Sequence, residues 1–300
     1  MRTICTVIAF ALALALALSN TSIALGAESS IKAAVERGAD MSATVTSDGV
    51  VRIGWQRDDA PVRIDGAAFP PAAGLGSWAA FTAVGDHAML MGDTVVFEDE
   101  ITPAMDAAFA NGLSVTALHN HFIYDDPPVY FMHIGGQGEA EALAKGVKAM
   151  WDAIRSVRAA HSAPRRSSGA GEVGTGDLDS AALERILGAA ASVNGGVAKF
   201  TFAREGVMHG QRIGGSMGLT TWAAFIGDDS AAAVAGDFMM TADEVQPVMR
   251  ALRRHDVHIV ALHNHMIGEE PTSYFLHFWG RGPAQELAAG IRAALDAQKE

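Results

Sequence analysis

Histidine is the residue whose spacing stands out in this chain of 300 residues. Two similar sets occur, each a His-x-His pair followed by one more histidine: His119, His121 and His133, then His263, His265 and His277. Residues two apart in a β-strand face the same side about 6.6 to 6.8 Å apart, so each pair would point the same way. Because neutral imidazole is the commonest metal ligand, we predict one divalent transition-metal site per set. Zinc is the first choice, with copper, nickel, iron and manganese as alternatives.

The third histidine of each set is expected on the neighbouring strand. A hairpin closed around Asp126-Pro127 pairs residues whose numbers sum to about 252, which predicts His133 directly opposite His119. Neighbours expected on this face are apolar: Leu113, Val115, Ala117 and Phe131. Imidazoles clustered among apolar side chains need partners, and one cation would satisfy all three. The alternative is a structural hydrogen-bond network inherited by both sets.

Four carboxylates accompany the histidines in both halves of the sequence and are the candidate catalytic residues: Asp93, Glu100, Asp237 and Glu244. Each is a candidate fourth ligand, a partner that orients an imidazole, or a general base acting on metal-bound water. The alternative is structural, because Gly-Asp is typical of turns and Asp-Glu favours a helix start, with Asp99 and Asp243 as expected N-caps. The remaining histidines have no counterpart and are expected at the surface: His87, His161, His209, His255 and His258.

These residues recur because the chain is an internal duplication. Residues 78–150 align with 222–294 at a constant offset of 144, without a gap and with 29 identities in 73 positions. We therefore predict a first repeat domain over 28–155 and a second over 179–300. The glycine- and serine-rich residues 156–178 between them are typical of a flexible linker.

Each repeat is expected to have an α+β fold, with a mostly antiparallel sheet and helices packed on it. Alternation and short apolar runs predict strands, and a spacing of three and four residues predicts helices. In the first repeat the strands are predicted over 50–55, 78–84, 88–97, 113–123 and 129–135, and the helices over 99–110 and 139–154. Tyr130 and Tyr274 alternate with the histidines and are expected to point into the helix layer.

Composition excludes several classes of protein. The formal net charge is −12, which opposes binding to nucleic acid.

A basic start and fifteen apolar residues, 4–18, precede small residues near 27, as in a cleavable secretory signal peptide. Its removal would take away Arg2 and no acid, leaving 21 basic against 34 acidic side chains, or −13, and would remove the single cysteine, Cys5. We expect an exported periplasmic or extracellular protein with no membrane span after leader removal.

Four blocks of sequence resemble a known family. They are Gly-Leu-Gly-Ser-Trp-Ala-Ala-Phe at 74–81, Met-Gly-Asp at 91–93, Ala-Leu-His-Asn-His at 117–121 and Phe-Met-His-Ile-Gly-Gly at 131–136. They are similar to the LppY/LpqO family of exported bacterial proteins with duplicated units, and the resemblance covers nearly all of residues 30–297. It implies export and a two-unit architecture but supplies no reaction. Some members are named as lipoproteins, whereas this sequence has no cysteine after the leader.

The sequence therefore predicts an exported protein that binds a transition metal in each repeat. One alternative is a metal-dependent hydrolase or lyase acting on a small or envelope-derived substrate, with Asp93 or Glu100 as the base. Another is a structural interaction module without metal. Partners are expected to be small molecules or envelope components, and the oligomeric state is open.

Overall fold

The two repeats share one large β-sheet. The computed structural model describes residues 30–166 and 171–298, so the leader predicted over 1–27 lies outside the described residues. Within these ranges no helix is both long and apolar enough to cross a membrane. The α+β fold with a mostly antiparallel sheet is confirmed.

The first repeat contains three helices and nine strands in its described part. They are α1 (30–39), β1 (Thr44–Val45), β2 (Val51–Gln56), β3 (Val62–Ile64), β4 (Ala67–Phe69), β5 (Gly76–Val84), β6 (His87–Phe97), α2 (Glu98–Ala110), β7 (Ser114–Asn120), β8 (Asp125–Asp126), β9 (Val129–Gly138) and α3 (Ala140–Ala160). Strands β2 and β5 of the main sheet alternate between buried and more exposed residues, because one side of each packs on the helix-side core.

The second repeat has the same order of elements. They are α4 (Ser180–Leu187), β10 (Ser192–Asn194), β11 (Val197–Ala203), β12 (Gly206–Met208), β13 (Gln211–Ile213), β14 (Thr220–Gly227), β15 (Ala232–Met240), α5 (Val245–Arg254), β16 (His258–His263), β17 (Glu269–Glu270), β18 (Tyr274–Gly282) and α6 (Ala284–Asp296). Each element has its counterpart in the first repeat, as duplication requires.

The main sheet has twelve strands in the order β1-β2-β5-β6-β9-β7-β16-β18-β15-β14-β11-β10. The second half of this order contains the equivalents of the first half in reverse. At its centre β7 and β16 pair antiparallel through Leu118 and Leu262. These two residues are equivalents at the offset of 144, so a pseudo-twofold axis passes through this pair. Both leucines are buried in one hydrophobic core on the helix side of the sheet, which contains residues of both repeats.

Helices α2 and α5 strengthen the junction between the repeats. Arg253 of α5 donates to both carboxylate oxygens of Asp106 at 2.8 and 2.9 Å. Arg250 donates to the carbonyl oxygens of Phe109 and Leu113 at 3.0 and 2.8 Å. Asp106 and Arg250 are equivalents, as are Phe109 and Arg253, so both cations of this junction come from the second repeat and their acceptors come from the first.

The face of the main sheet opposite the helices is only partly covered. In the first repeat, β3, β4 and β8 form a small sheet, and a first minor core lies near it. This core contains Ala60, Val62, Leu75, Val95, Phe97, Val129 and Phe131. A smaller second minor core, Leu219, Met239 and Phe275, occupies the equivalent place in the second repeat, where β12, β13 and β17 form the small sheet.

Two local expectations differ from the structure. Helix α2 begins at Glu98 with Phe97 as its N-cap, so the expectation of Asp99 as N-cap is wrong. The carboxylate of Glu100 accepts the Phe97 N–H at 2.9 Å, which satisfies the helix start without a capping side chain at Asp99. Likewise α5 begins at Val245, after Glu244 rather than Asp243.

The described residues of the segment between the repeats contact the two repeats. Helix α3 continues to Ala160, five residues beyond the predicted end of the first domain. After the undescribed residues 167–170, Gly174 N donates to the Ala231 carbonyl at 2.7 Å. Before the gap, Arg165 N donates to Asp99 of the first repeat at 3.0 Å, so the described parts of the predicted linker pack against the first repeat before the gap and the second repeat after it.

Candidate metal centre

Three adjacent strands of the first repeat bring the predicted residues together on the face opposite the helices. Asp93 on β6 pairs with His133 on β9, and His133 pairs with Ala117 on β7. His119 is two residues beyond Ala117 and therefore lies on the same face. Its Nε2 is 2.8 Å from Nε2 of His133. The structure thus gathers two of the three predicted imidazoles and one carboxylate around one point.

The predicted register was wrong by two residues. His119 pairs with Phe131, so paired numbers sum to 250 and His133 is a diagonal neighbour of His119. A β-bulge between Val115 and Ala117 also changes the face of the residues before it. Leu113 and Val115 consequently face the helix-side core, whereas they were expected beside the histidines.

His121 follows the end of β7 and lies between the cluster and the first minor core. Its ring stacks on Phe131 with a centroid distance of 3.4 Å and an interplanar angle of 6°. Its centroid is 5.1 Å from that of His119. Burial and the neighbouring His119 lower the pKa of His121, which favours the neutral imidazole that binds metals.

The second repeat reproduces the arrangement with different ring orientations. The ring centroids of His263 and His277 are 4.9 Å apart, and His265 stacks on Phe275 at 3.4 Å. His265 Nε2 is 3.8 Å and His277 Nδ1 is 4.0 Å from Asp237 Oδ2. Burial lowers the pKa of His263, whose buried Nδ1 has no hydrogen-bond partner among the described residues.

The two aspartates are the most unusual groups of the site. Asp93 and Asp237 are only 8% and 4% exposed, and Oδ1 of each has no hydrogen-bond partner in the described part of the chain. The ring nitrogen Nε2 of His133 is 4.0 Å from Asp93 Oδ1, which is beyond hydrogen-bond distance. Burial raises the pKa of both carboxyls, and the imidazoles of the same repeat oppose this shift.

The donor atoms as they stand do not form a closed coordination shell. Among the described residues, no group of three or more His, Cys, Asp or Glu side chains is already arranged to hold a metal ion. The 2.8 Å between the Nε2 atoms of His119 and His133 is a hydrogen-bond distance, with one ring donating to the other. Two nitrogens about 2.05 Å from a tetrahedral zinc would be about 3.3 Å apart. Coordination therefore requires the rings to rotate until the two Nε2 atoms are roughly half an ångström further apart.

The structure places the other two candidate carboxylates in ion pairs. Both Glu100 oxygens accept from the buried Arg57 guanidinium at 2.8 and 2.9 Å, and Arg158 Nε is 2.6 Å from Glu100. Glu244 accepts from Arg204 at 2.6 Å. No recorded contact in the described ranges joins Glu100 or Glu244 to an imidazole of either cluster. These glutamates anchor helix starts rather than line the site.

The remaining histidines lie apart from the clusters. Four are exposed as expected: His87, His161, His209 and His255. His258 is an exception, because it is half-buried and its Nδ1 is 2.8 Å from Thr102 Oγ1 of the other repeat. A cleft of about 970 Å³ next to His258, between α2, α3 and the start of β16, contains none of the six clustered histidines.

The stacked phenylalanines add a constraint that sequence reasoning missed. Phe131 was expected only as an apolar neighbour, and Phe275 was not singled out. Each lies two residues before the third histidine of its set, and each ring supports the second imidazole. The repeated Tyr-Phe-x-His motif was the available signal, because the phenylalanine alternates onto the histidine face.

Comparison with solved structures gives one weak similarity. The crystal structure of a trimeric bacterial microcompartment shell protein PduB matches with 11% identity over 85% of this chain and 89% of that one. Its TM-score of 0.21 is too low to support an argument about fold or function. A search of curated proteins gives no match.

A family comparison recognises both repeats. The family described as Domain of Unknown Function (DUF1259) matches residues 33–153 and 181–297, which together make up most of the chain. The two matched segments coincide with the repeats deduced from the offset of 144 and contain all six clustered histidines. The chain belongs to this family of duplicated domains of unknown function.

Proposed function

We propose that each repeat binds a transition-metal ion through its three histidines and its buried aspartate. The observation that carries the proposal is Oδ1 of Asp93 and of Asp237, a buried carboxylate oxygen without a partner beside three imidazoles. A buried, unpaired polar group costs about 1 to 3 kcal/mol, so its occurrence in both repeats needs a compensating ligand. A cation supplies that compensation.

The donor set favours zinc as the first choice. Imidazole nitrogen and carboxylate oxygen are both common zinc ligands, and four such groups make a tetrahedral site. His119 and His133 would bind the ion from neighbouring strands, and Asp93 would bind it from β6. His121, whose ring stacks on Phe131, would be the fourth ligand. The rings of His119 and His133 need to separate only slightly, and the His133 side chain, which is 36% exposed, has room to move.

Metal-assisted hydrolysis or lyase chemistry is a second candidate function. The raised pKa of Asp93 and of Asp237 favours it, because a carboxyl displaced toward neutral pH is a better general base for water than an ordinary one. In that case the imidazoles would hold the ion, which would supply Lewis-acid activation of water, and the aspartate would be positioned to accept a proton. Glu100 is not part of this proposal, since two guanidinium groups hold it elsewhere.

We also propose export of the protein and membership of the LppY/LpqO group. Both rest on the sequence alone: the apolar leader over 1–27 and the four blocks of similarity. In this setting the ligands of the sites would be small molecules or envelope components.

Elemental analysis of the mature chain tests metal binding. We expect two equivalents of metal per chain in the wild type, one after H119A/H121A, one after H263A/H265A, and none when the pairs are combined. H87A is the matched control, because this exposed histidine lies outside both clusters and should retain two equivalents. Less than roughly a tenth of an equivalent, with no rise in melting temperature on adding zinc, would refute the proposal.

A further inference from the structure

We infer that the site of the first repeat is adapted to a soft monovalent ion, Cu(I), with the Met91 thioether as an additional ligand. The second repeat lacks this ligand. The inference rests on the proposed metal binding and specifies which ion one of the two sites prefers.

Strand β6 places Met91 on the open side of the site. Alternation puts Phe97, Val95, Asp93, Met91 and Met89 on one face of the sheet. Phe97 and Val95 belong to the first minor core, and Asp93 lies at its boundary. Met91 and Met89 come next and are 60% and 40% exposed. Met91 is therefore the first residue beyond the buried carboxylate, on the side where the site is open to solvent.

The neighbours of Met91 leave its side chain free to reach the cluster. Its partners on the two adjacent strands are Ala80 and Gly135, both small. Gly135 lies two residues from His133 on β9, which makes Met91 and His133 diagonal neighbours on one face. Diagonal Cα atoms are about 7 to 8 Å apart, within reach of an unbranched side chain with three rotatable bonds. Met89 is one further step away along the strand.

The chemistry of the thioether selects the ion. Methionine sulfur is a soft ligand that favours Cu(I), whereas carboxylate oxygen favours hard cations. Imidazole binds both copper and zinc, so His119 and His133 serve either ion. Packing accounts poorly for Met91, because a side chain that is 60% exposed buries little apolar surface.

The second repeat provides a natural comparison. Its residues equivalent to Met91 and Met89 are Ala235 and Ala233, while the aspartate and all three histidines are retained. Trp279 replaces Gly135. The shared ligands make both sites competent for zinc, and the methionine makes only the first one suited to Cu(I).

The test measures Cu(I) and zinc affinity at each site separately in the full mature chain. H263A/H265A leaves only the first site, and H119A/H121A leaves only the second. Cu(I) is titrated without oxygen against a chromogenic chelator, and zinc against a fluorescent one. We expect the first site to bind Cu(I) at least about tenfold more tightly than the second. M91A should lower the Cu(I) affinity of the first site about tenfold and change its zinc affinity less than about twofold.

Two further variants serve as matched controls. M89A removes an exposed methionine of the same strand that is too distant to bind, and its Cu(I) affinity should stay within about twofold of the parent. A235M installs the thioether in the second site and should raise Cu(I) affinity there. Equal losses of Cu(I) and zinc affinity in M91A, or no loss of either, would overturn this inference but would not contradict the proposed metal binding by the histidines and the aspartate. Failure of both ions to bind at either site would overturn the proposed function itself.

Discussion

Replacing Asp93 with asparagine is expected to have opposite effects on the metal-free and the metal-bound protein. Oδ1 of Asp93 is buried without a partner, so the ionised carboxylate destabilises the metal-free fold. Removing the charge with an isosteric amide should recover about 1 to 2 kcal/mol of the cost of an unpaired buried group. In a chain of this size that is roughly 2 to 6 °C in melting temperature.

The pH dependence of this gain follows from the direction of the pKa shift. Burial raises the pKa of Asp93 in the folded protein, so folding favours the protonated carboxyl. The corresponding stability is present below the unfolded pKa of about 3.9 and is lost as pH rises through the folded pKa. The advantage of D93N should therefore be full at pH 8 and vanish near pH 3.5.

In the presence of zinc, D93N is expected to destabilise the protein instead of stabilising it. A site that holds zinc at 100 times its dissociation constant stabilises the fold by about 2.7 kcal/mol. If loss of the carboxylate weakens binding about 100-fold, the same zinc concentration contributes only about 0.4 kcal/mol at that site. D93N should then melt above the wild type in chelator and below it in zinc.

Thermal unfolding followed by circular dichroism, in chelator and in zinc at pH 8, measures both effects. D237N should behave in the same way because its environment is equivalent. D58N, at an exposed position, should change neither melting temperature. A lower melting temperature of D93N in chelator would show that the carboxylate has a stabilising partner, and an unchanged zinc effect would show that it is not a ligand.

Three other predictions concern neighbouring features. E100Q should destabilise the protein by about 3 kcal/mol in urea unfolding, because it weakens the compensation of two buried arginines, yet it should retain two equivalents of metal; loss of metal would assign Glu100 to the site. D106A should destabilise the protein by about 1 to 3 kcal/mol, since the buried Arg253 loses its carboxylate partner, and an unchanged urea midpoint would show that the ion pair does not stabilise the junction. Acidification should release the metal as the imidazoles protonate, and the lowered pKa of His121 and His263 places release from the two sites below about pH 6.5; release that is complete at pH 7.5 would contradict this.

Much of the local structure could be predicted from the sequence, because alternation and helical spacing are properties of neighbouring residues. Strands β5, β6 and β9 and helix α2 were predicted within three residues of their observed bounds, whereas α3 extends six residues beyond its predicted end at 154. The direction of Tyr130 toward the helix-side core was also correct. Duplication helped, because a pattern seen twice separates the periodic signal from chance.

Neither the exact histidine geometry nor the role of Glu100 could be predicted, each for its own physical reason. The bulge near Thr116 adds one residue to β7, and nothing in the alternation marks it, so Leu113 and Val115 were assigned to the wrong face. The partners of Glu100 are equally hidden, since Arg57 and Arg158 lie 43 residues before and 58 after it and meet it only in the folded chain.

The antiparallel pairing of Leu118 with Leu262 joins the two repeats about a pseudo-twofold axis, as the two subunits of a homodimer would be joined, but within one polypeptide. In a true homodimer one gene encodes both subunits, so a substitution near the twofold axis occurs in both and the two copies of the new residue lie next to each other. The covalent tie removes that constraint and also makes assembly independent of dilution. The two halves can therefore differ near the axis, as they do where Trp279 corresponds to Gly135 and Ala235 corresponds to Met91.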